Sequence, residues 1–543
     1  MKKYSVFIIM IVLFAACKKS SLELNDPNQP SLIPNLALST EAGLKNFSLG
    51  VLQKQIATVP DEGTTNIFFI AMANHSILGD EGYTPYGNYA LRWVNQVYKI
   101  TLPSGEVVLN PNGIDQKTQL QGFNSRDAGE RNAFLYEWAS CYYMISQCNQ
   151  LLLALKNPDI TVTGDLTTKV NTFKAWALWW KGYCYSRIGS MYLAGIINDT
   201  LNITNDNFVH RTQIMTEADK VLKDCETTLN SLSDDDDYED VMDAIVASFD
   251  DNGNVVTPDM WKRQIHSLQA RNLLVNQKVR DMAVPDWQAV LDLADTGIAQ
   301  GDNIFKFGMD PSGTNDVSAG QFHPYAFIGK VVQFEFVSER LVQDFKPGDN
   351  RNVGTFQLFP VPKVNERGRG LQFGTRWDPI YIENGGHYAT AANQGLTPWA
   401  CSYEENELMK AEALIHLNQV DEGLSHIDAV RDYQNSGLAP VSGTGLNITQ
   451  ATEELRRERR IGLFLWGTAF YDARRWGVTE PASQGGGRAN AIVMVPGDQL
   501  VPAQANAAAV PCFMEYNYLD YWDVPQNELD FNTPGPMSSP IKN

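Results

Sequence analysis

The chain has 543 residues, with 43 Lys and Arg against 63 Asp and Glu and a formal net charge of −20. The length allows several hydrophobic cores, and the acidic balance argues against nucleic acid or an anionic membrane surface as the main partner. Past the N-terminus no apolar run approaches the roughly 20 residues that a membrane-spanning helix needs, so the body of the chain reads as soluble.

The first residues read as a secretion signal. Lys2 and Lys3 supply the positive start, Val6 to Ala16 is apolar but too short to span a bilayer, and the small Ala15 and Ala16 precede Cys17. The pattern resembles a bacterial lipoprotein signal over residues 1–16, cut just before a cysteine whose thiol is acylated. Phe14 stands where leucine is usual, with Leu13 one place earlier. Cys17 is thus the expected lipid attachment, each buried CH₂ of the acyl chain adding ~0.8 kcal/mol of membrane affinity.

Residues 57–125 are rich in Gly, Pro, Asn and aromatics, and are too long to be a mere connector. Within them "GDEGYTPYGNYALRWVNQVY" (79–98) sets Tyr83, Tyr86, Tyr89, Trp93 and Tyr98 among Asp80, Asn88, Arg92 and Asn95. Sugar rings present apolar C–H faces rimmed by hydroxyls. Flat aromatics cover such faces, while Asn, Asp and Arg reach the rims. Tyr83, Tyr86, Arg92 and Trp93 are therefore the first ligand-binding candidates; the competing reading is that aromatics in Gly-rich loops plug the edge of a scaffold.

Helical periodicity then dominates and comes in pairs. The pattern predicts helices over 127–156, 168–193 and 211–232. In the second, Ala175, Trp179, Gly182, Tyr183, Ser186 and Ser190 recur at three and four, so that small residues admit a close neighbouring helix and aromatics fill the rest of the face. "DDDDYED" (234–240) is expected as a solvated loop, and calcium is a lesser reading because no EF-hand spacing follows. A further pair spans 261–281 and 286–300, with a turn at Pro285.

A second insert, 302–400, carries "NIFKFG", "KVVQFEFV" and "GTFQLF" as short strands or strand–helix junctions. It also carries "SAGQFHPYAF" (318–327), which contributes Phe322 and Tyr325, and "FGTRWDPIYIENGGHY" (373–388), which contributes Trp377, as further ligand-binding candidates. Helices follow over 403–418 and 420–435, and a third insert covers 478–543. These pairs resemble tetratricopeptide repeats, helix–turn–helix units of ~34 residues that stack side by side. The expected fold is mainly α: tetratricopeptide-like helix pairs forming a scaffold, with long loop-rich inserts and a few short strands.

Chemistry leaves little trace. There is no HExxH, GxSxG or P-loop, His416 and His426 read as capping or surface residues, and neither catalytic residue, metal nor cofactor is expected. After Cys17 come Cys141, Cys148, Cys184, Cys225, Cys401 and Cys512, none in a CxxC pair, which read mostly as buried thiols.

Near the C-terminus "ERRIGLFLWGTAFYDARRWG" (458–477) reads as a helix stopping at a glycine and a second helix ending at Gly477. Its Glu458, Arg459, Arg460, Leu463, Gly467, Asp472, Arg474, Arg475 and Trp476 resemble the motif E-R-R-x-E-L-x-x-E-G-x-R-x-x-D-x-R-R-W of SusD/RagB-type outer-membrane lipoproteins. Gly462 and Trp466 replace glutamates and Ala469 replaces an arginine, which suggests a partly neutralised packing network. "ELMKAEALIHLNQVDEGLSHIDAVRD" (407–432) and "PQNELDFN" (525–532) resemble the same family. The resemblance implies a signal over 1–16 and one SusD-like body over 17–543, with an N-terminal part at about 23–230 and a C-terminal part at about 260–543. It also implies an outer-membrane, lipid-anchored protein that captures a nutrient, most often a glycan, without catalysis. The nutrient would pass to a SusC-like TonB-dependent transporter, and the motif residues would be structural. Acidic residues directly after the cysteine accompany surface export in this group; here Lys18 and Lys19 come first, and Glu23 and Asp26 later. Two other readings compete: an adaptor whose tetratricopeptide-like groove grips a protein, peptide or other non-glycan nutrient, and a surface hydrolase.

Overall fold

The computed structural model describes residues 37–57, 67–201, 203–246, 255–308, 336–379 and 396–543. Cys17, Phe322, Tyr325 and the signal segment lie outside the described residues.

The helical scaffold comprises α1 (Glu41–Ala57), α2 (Ile67–Leu78), α3 (Ala133–Ala154), α4 (Leu166–Met191), α5 (Arg211–Leu229), α6 (Asp236–Ile245), α7 (Pro258–Val275), α8 (Val284–Asp295), α9 (Tyr403–His416), α10 (Val420–Tyr433), α11 (Ile448–Gly462) and α12 (Ala469–Arg475). Side-chain caps set several starts. Asp165 accepts from the Thr168 amide at 2.7 Å to open α4, and Ser402 accepts from the Glu405 amide at 3.2 Å to open α9. Thr257 caps α7 with Pro258 in its first turn, and Asn447 and Gln450 form a reciprocal capping box at α11.

Helix α4 is buried nearly all round from Thr172 to Met191, as befits a central element. It packs against α3 on one side and along the length of α5 on the other. The small residues make the close approach: a Cβ at Gly182 would lie 2.7 Å from Leu222, and one at Gly189 would lie 2.5 Å from the Met215 sulfur. Ser186 accepts from Asn272 and Ser190 accepts from Asn276, each at 2.9 Å, tying α4 to α7 and the residue that ends it. At its middle, Trp176, Trp179 and Trp180 form an edge-to-face cluster with Trp261, Phe305 and Trp399, with Trp261 and Phe305 centroids 5.0 Å apart.

The later helices stack in sequence, α7 on α8, α8 on α9, α9 on α10 and α10 on α11, in the tetratricopeptide-like manner. Ala270, Leu274, Trp287, Val290, Met409 and Ala413 fill one interface, and Leu408, Ile415, Leu424, Ile427, Val430 and Leu455 fill the next. His416 corrects its sequence reading. It is half-buried and lies flat on Trp287 at 4.1 Å, locking α8 to α9 instead of capping or facing solvent. His426 pairs with Glu407 at 2.6 Å. The acidic run is also corrected: Asp235 caps α6, and Asp237 and Asp240 pair with the buried Lys169, so the segment starts a helix. Cys141, Cys148, Cys184, Cys225, Cys401 and Cys512 are all buried free thiols.

Strands are short and serve as clamps. The expected segments supply Lys306–Gly308, Phe336–Val337 and Phe356–Lys363. A four-stranded antiparallel sheet orders Arg488–Val495, Ala508–Glu515, Lys99–Thr101 and Val107–Leu109, which joins residues near both ends of the described chain. Gly82–Tyr83 pairs with Phe336–Val337, and Phe356–Lys363 with Thr375–Pro379. Among the described residues no helix is long and apolar enough to cross a membrane.

The packing can be tested at two points. Gly182→Val overfills the α4–α5 contact and should cost about 1–3 kcal/mol, read as a lower Tm with retained helical circular dichroism; an unchanged melt would mean Leu222 yields freely. The second point is Glu81, buried with Oε1 accepting from the Leu465 amide at 3.1 Å and Oε2 unpartnered. Burial pushes its carboxyl up from 4.5 to about 8. Below about pH 4.5 both folded and unfolded chains hold that proton; between there and pH 8 only the folded chain does, so wild type loses stability as pH rises. Glu81→Gln should therefore raise Tm more at pH 8 than at pH 5, and equal offsets would contradict a buried neutral acid.

Candidate functional site

The site is built from two loops, 84–93 and 365–370, held by one buried carboxylate. Asp80 Oδ1 accepts from Arg340 Nη2 at 2.7 Å and from the Ser338 hydroxyl at 3.0 Å; Oδ2 accepts from Arg340 Nε and from the Tyr516 hydroxyl, both at 2.9 Å. Arg340 Nη1 then donates to the carbonyls of Gln372 at 3.3 Å and Ile492 at 3.2 Å. Arg460 donates to the Gly79 and Asp80 carbonyls at 2.8 and 3.1 Å. Burial alone would raise the Asp80 carboxyl, but the Arg340 guanidinium, with Arg460 and Arg488 behind it, overcomes this and holds it at about 2.

From that anchor the chain enters a tight loop. The Tyr86 amide donates to the Thr84 hydroxyl at 3.2 Å, and the Arg92 amide closes back onto the Tyr86 carbonyl at 3.2 Å. Tyr89 and Ala90 take left-handed φ values of 54° and 61°, which side-chain-bearing residues adopt only under constraint. The Arg92 guanidinium lies 3.8 Å over the Trp93 ring, and Trp93 meets Phe123 edge-on at 4.9 Å. The guanidinium of the exposed Arg131 sits 5.0 Å from the Phe123 ring. The second loop turns through Asn365 and Arg367 at φ 46° and 55°, with the Asn365 side chain accepting from the Gly370 amide at 2.7 Å. This aims Arg367 across the gap: its guanidinium stands 4.3 Å over Tyr86 and donates to the tyrosine hydroxyl at 3.4 Å. Burial and the like charge of Arg369 push Arg92 down to about 10. The result is a stripe of alternating guanidinium and ring, Arg367–Tyr86 and Arg92–Trp93–Phe123–Arg131.

The sequence candidates thus part company. Tyr86, Arg92 and Trp93 come together in the stripe, with Tyr86 and Arg92 half-buried and Trp93, only 8% exposed, serving as the platform under Arg92. Tyr83 does not join them; it is fully buried, stacked on Phe336 at 5.5 Å and near Phe373 at 5.6 Å, where burial and then Glu366 raise its hydroxyl's pKa. Trp377 packs on the cluster of Val337, Leu341, Phe356 and Phe464, beside an Arg376 that pairs with Glu339 at 2.9 Å. Phe322 and Tyr325 lie outside the described residues. Arg367, Arg369, Phe123 and Arg131 are not among the sequence candidates; the run "NERGRG" (365–370), two arginines among turn residues, is the signal that marks the second loop.

The stripe has rings for apolar faces and guanidinium forks for oxygen acceptors, and no nucleophile–base pair. Among the described residues no group of three or more His, Cys, Asp or Glu is placed to hold a metal. A separate cleft of about 510 Å³ opens between the end of α2, α11, α12 and the strand Arg488–Val495, lined by Asp344, Arg456, Arg460, Trp476 and Arg488. There the arginines are largely spoken for, with Arg460 and Arg488 both paired to Asp344 at 2.7 and 2.6 Å.

Residues 405–536 match the model of the SusD family. That stretch, about a quarter of the chain, is similar to the SusD/RagB type. Solved structures with a similar fold cover nearly all of the chain. A SusD-like carbohydrate binding protein from Bacteroides vulgatus matches at TM-score 0.53 and 13% identity, over 91% of this chain and 96% of that one. A SusD-like protein from Bacteroides fragilis matches at 0.55 and 12%, over 92% and 97%. A structure solved with xylogluco-oligosaccharide matches at 0.55 and 12%, over 92% and 99%. At such identities the likeness is one of fold. Among curated proteins none matches the sequence.

In this chain the C-terminal motif is buried wiring. Glu458 accepts from Arg351 at 2.5 Å and from Arg431 at 2.7 Å. Asp472 accepts from Arg459 at 2.7 Å and Arg475 at 2.8 Å, and Arg475 forks onto Glu412 with two bonds of 2.5 Å. Arg474 donates to the carbonyls of Ser190, Val275 and Asp520 at 2.6, 2.9 and 3.0 Å. The three departures from the motif have physical counterparts. Both Nη atoms of Arg459 are buried without a hydrogen-bond partner, beside a motif short of two acids. Ala469 comes so near Gly79 that a Cβ on the glycine would lie 2.4 Å from the alanine's, leaving no room for an arginine side chain on that side. Trp466 packs against an apolar cluster where the motif has a carboxylate.

Asp80→Asn leaves Arg340 buried with its charge unmatched, a change that typically costs about 3–5 kcal/mol. It should lower Tm sharply and weaken ligand binding by loosening both loops. Because the Asp80 carboxyl sits at about 2 when folded and near 3.8 when unfolded, wild type should lose this contribution as pH falls from about 4 towards 2, and the variant should not. Parallel acid titrations of the two would expose an error here.

Proposed function

We propose that this SusD/RagB-type chain is a non-catalytic binding protein. It is tethered through Cys17 to the outer membrane, captures an oligosaccharide or polysaccharide, and passes it to a SusC-like TonB-dependent transporter. In this reading residues 17–543 act as one body with the parts at about 23–230 and 260–543. The binding residues are Tyr86, Arg92, Phe123, Arg131, Arg367 and Arg369, with Trp93 supporting Arg92 from beneath. Phe322, Tyr325 and Trp377 remain secondary candidates. The observation that carries it is the stripe of rings and guanidiniums, set on a scaffold where most of the other described arginines pair with carboxylates. The fold shared with a structure solved with xylogluco-oligosaccharide supports the same reading.

Purified protein should bind members of a polysaccharide pool without releasing new reducing ends, and it should copurify from membranes with a large β-barrel protein. Tyr86→Ala should weaken saccharide binding roughly 3–10-fold, the worth of one aromatic contact. Cys17→Ser should move the protein from the membrane to the soluble fraction. New reducing ends would make it a hydrolase, and barrel copurification without any saccharide binding would make it an adaptor.

A further inference from the structure

The buried arginines of this chain characteristically end on a carboxylate. Arg271, Arg340, Arg351, Arg431, Arg459, Arg460 and Arg475 each pair with an Asp or Glu at a distance no greater than 2.8 Å. In a chain of net charge −20, acid is abundant enough to pair with every arginine. Among the described residues Arg92, Arg367 and Arg369 form no ion pair, a condition shared with Arg126, Arg131, Arg211 and Arg456, which lie on rings, and with Arg474, which ends on three carbonyls; the trio differs in coming from the two loops that meet at Tyr86. The side-chain contacts of Arg92 and Arg367 are with rings. Arg92 lies on Trp93, Arg367 lies on Tyr86 and touches its hydroxyl, and Arg369 is near enough for its like charge to lower Arg92. The Nε atoms of Arg92 and Arg369 are shielded from solvent with no hydrogen-bond partner.

Like charges brought together cost free energy unless something between them offsets it. Here the backbone itself is strained to bring them together, at Tyr89 and Ala90 on one loop and Asn365 and Arg367 on the other. Strain of this kind persists where the surrounding structure enforces a functional geometry. A guanidinium fork is matched to a planar or tetrahedral oxyanion, which it holds with two parallel charge-assisted bonds. The half-buried rings Tyr86 and Phe123 lie in the same stripe, and aromatic rings suit the apolar side of a sugar ring.

We infer that the Arg92–Arg367–Arg369 trio selects saccharides that carry an oxyanion, a uronate carboxylate or a sulfate ester, which it seats beside the Tyr86 ring. The inference rests on the saccharide-binding reading above and names its substrate class. Binding of such a ligand brings a negative charge to these like-charged guanidiniums, and it weakens as salt screens the exposed Arg367.

The test uses paired probes: oligogalacturonate against its fully methyl-esterified form, and a sulfated galactan oligosaccharide against its desulfated form, titrated by calorimetry at low and high salt. At least one acidic probe should bind about tenfold or more tighter than its charge-blocked twin, with the preference shrinking at high salt. R367Q and R369Q should each cut the acid-to-neutral affinity ratio by about tenfold, and R367K should keep part of it because it retains the charge but loses the fork. Arg367 is exposed, so R367Q should melt like wild type, which separates a lost contact from a lost fold. Twins bound equally, or a preference untouched by R367Q and R369Q, would overturn the inference while leaving saccharide binding intact. Failure of every neutral and acidic saccharide to bind would overturn both.

Discussion

A single buried carboxylate organises this protein. Asp80 receives Ser338, Arg340 and Tyr516, which lie 258, 260 and 436 positions away in the chain, and Arg340 relays the connection to Gln372 and Ile492. Chain segments remote from one another therefore meet on one pair of oxygens. A charge held this deep is costly unless every lone pair is used, and here the fork geometry of arginine and two hydroxyls use them. The arrangement carries the geometry of both surface loops, because each leaves the anchor within a few residues: 84–93 runs on from Asp80, and 365–370 precedes Gln372.

Around that anchor, charge is divided between two jobs. Inside, arginines are matched to acids and carbonyls, as in the Arg475–Glu412 fork and the three carbonyls on Arg474. These contacts join α9, α11 and α12 to α4 and α7, so the family motif holds the helix stack to the central helix. At the stripe the guanidiniums lie on aromatic faces instead, which lowers the cost of desolvating them without neutralising them. The same residue type thus serves as wiring where a carboxylate meets it and keeps its charge uncompensated where only rings do. The acidity of the whole chain sharpens this contrast, since unpaired arginine is the rarer condition.

Much of the scaffold is legible in the sequence because it rests on local rules. The 3.6-residue period, the capping side chains and the small residues of α4 specify helices and a close-packed face over a few turns, and the helix predicted over 168–193 is found at Leu166–Met191. The acidic run at 234–240 departs from its reading for an equally local reason. Its charge density resembles a solvated loop, while Asp235 as a cap and Lys169 as a distant partner turn it into a helix start. His416 shows the other kind of difference, since the flat surface it lies on is Trp287, which the neighbouring helix α8 supplies.

What the sequence determined by itself is composition and local order: an acidic, helix-rich chain with a lipoprotein-like start, aromatic loops and a recognisable C-terminal motif. What only tertiary structure decided is which of those aromatics reach the surface together. Tyr83 and Tyr86 share one Gly-rich stretch, yet the pairing of Gly82–Tyr83 with Phe336–Val337 draws the first into the core. The second is left beneath Arg367, which is 281 residues away. Periodicity and propensity act over a few residues, whereas a binding surface is assembled by contacts between segments that sequence spacing does not relate.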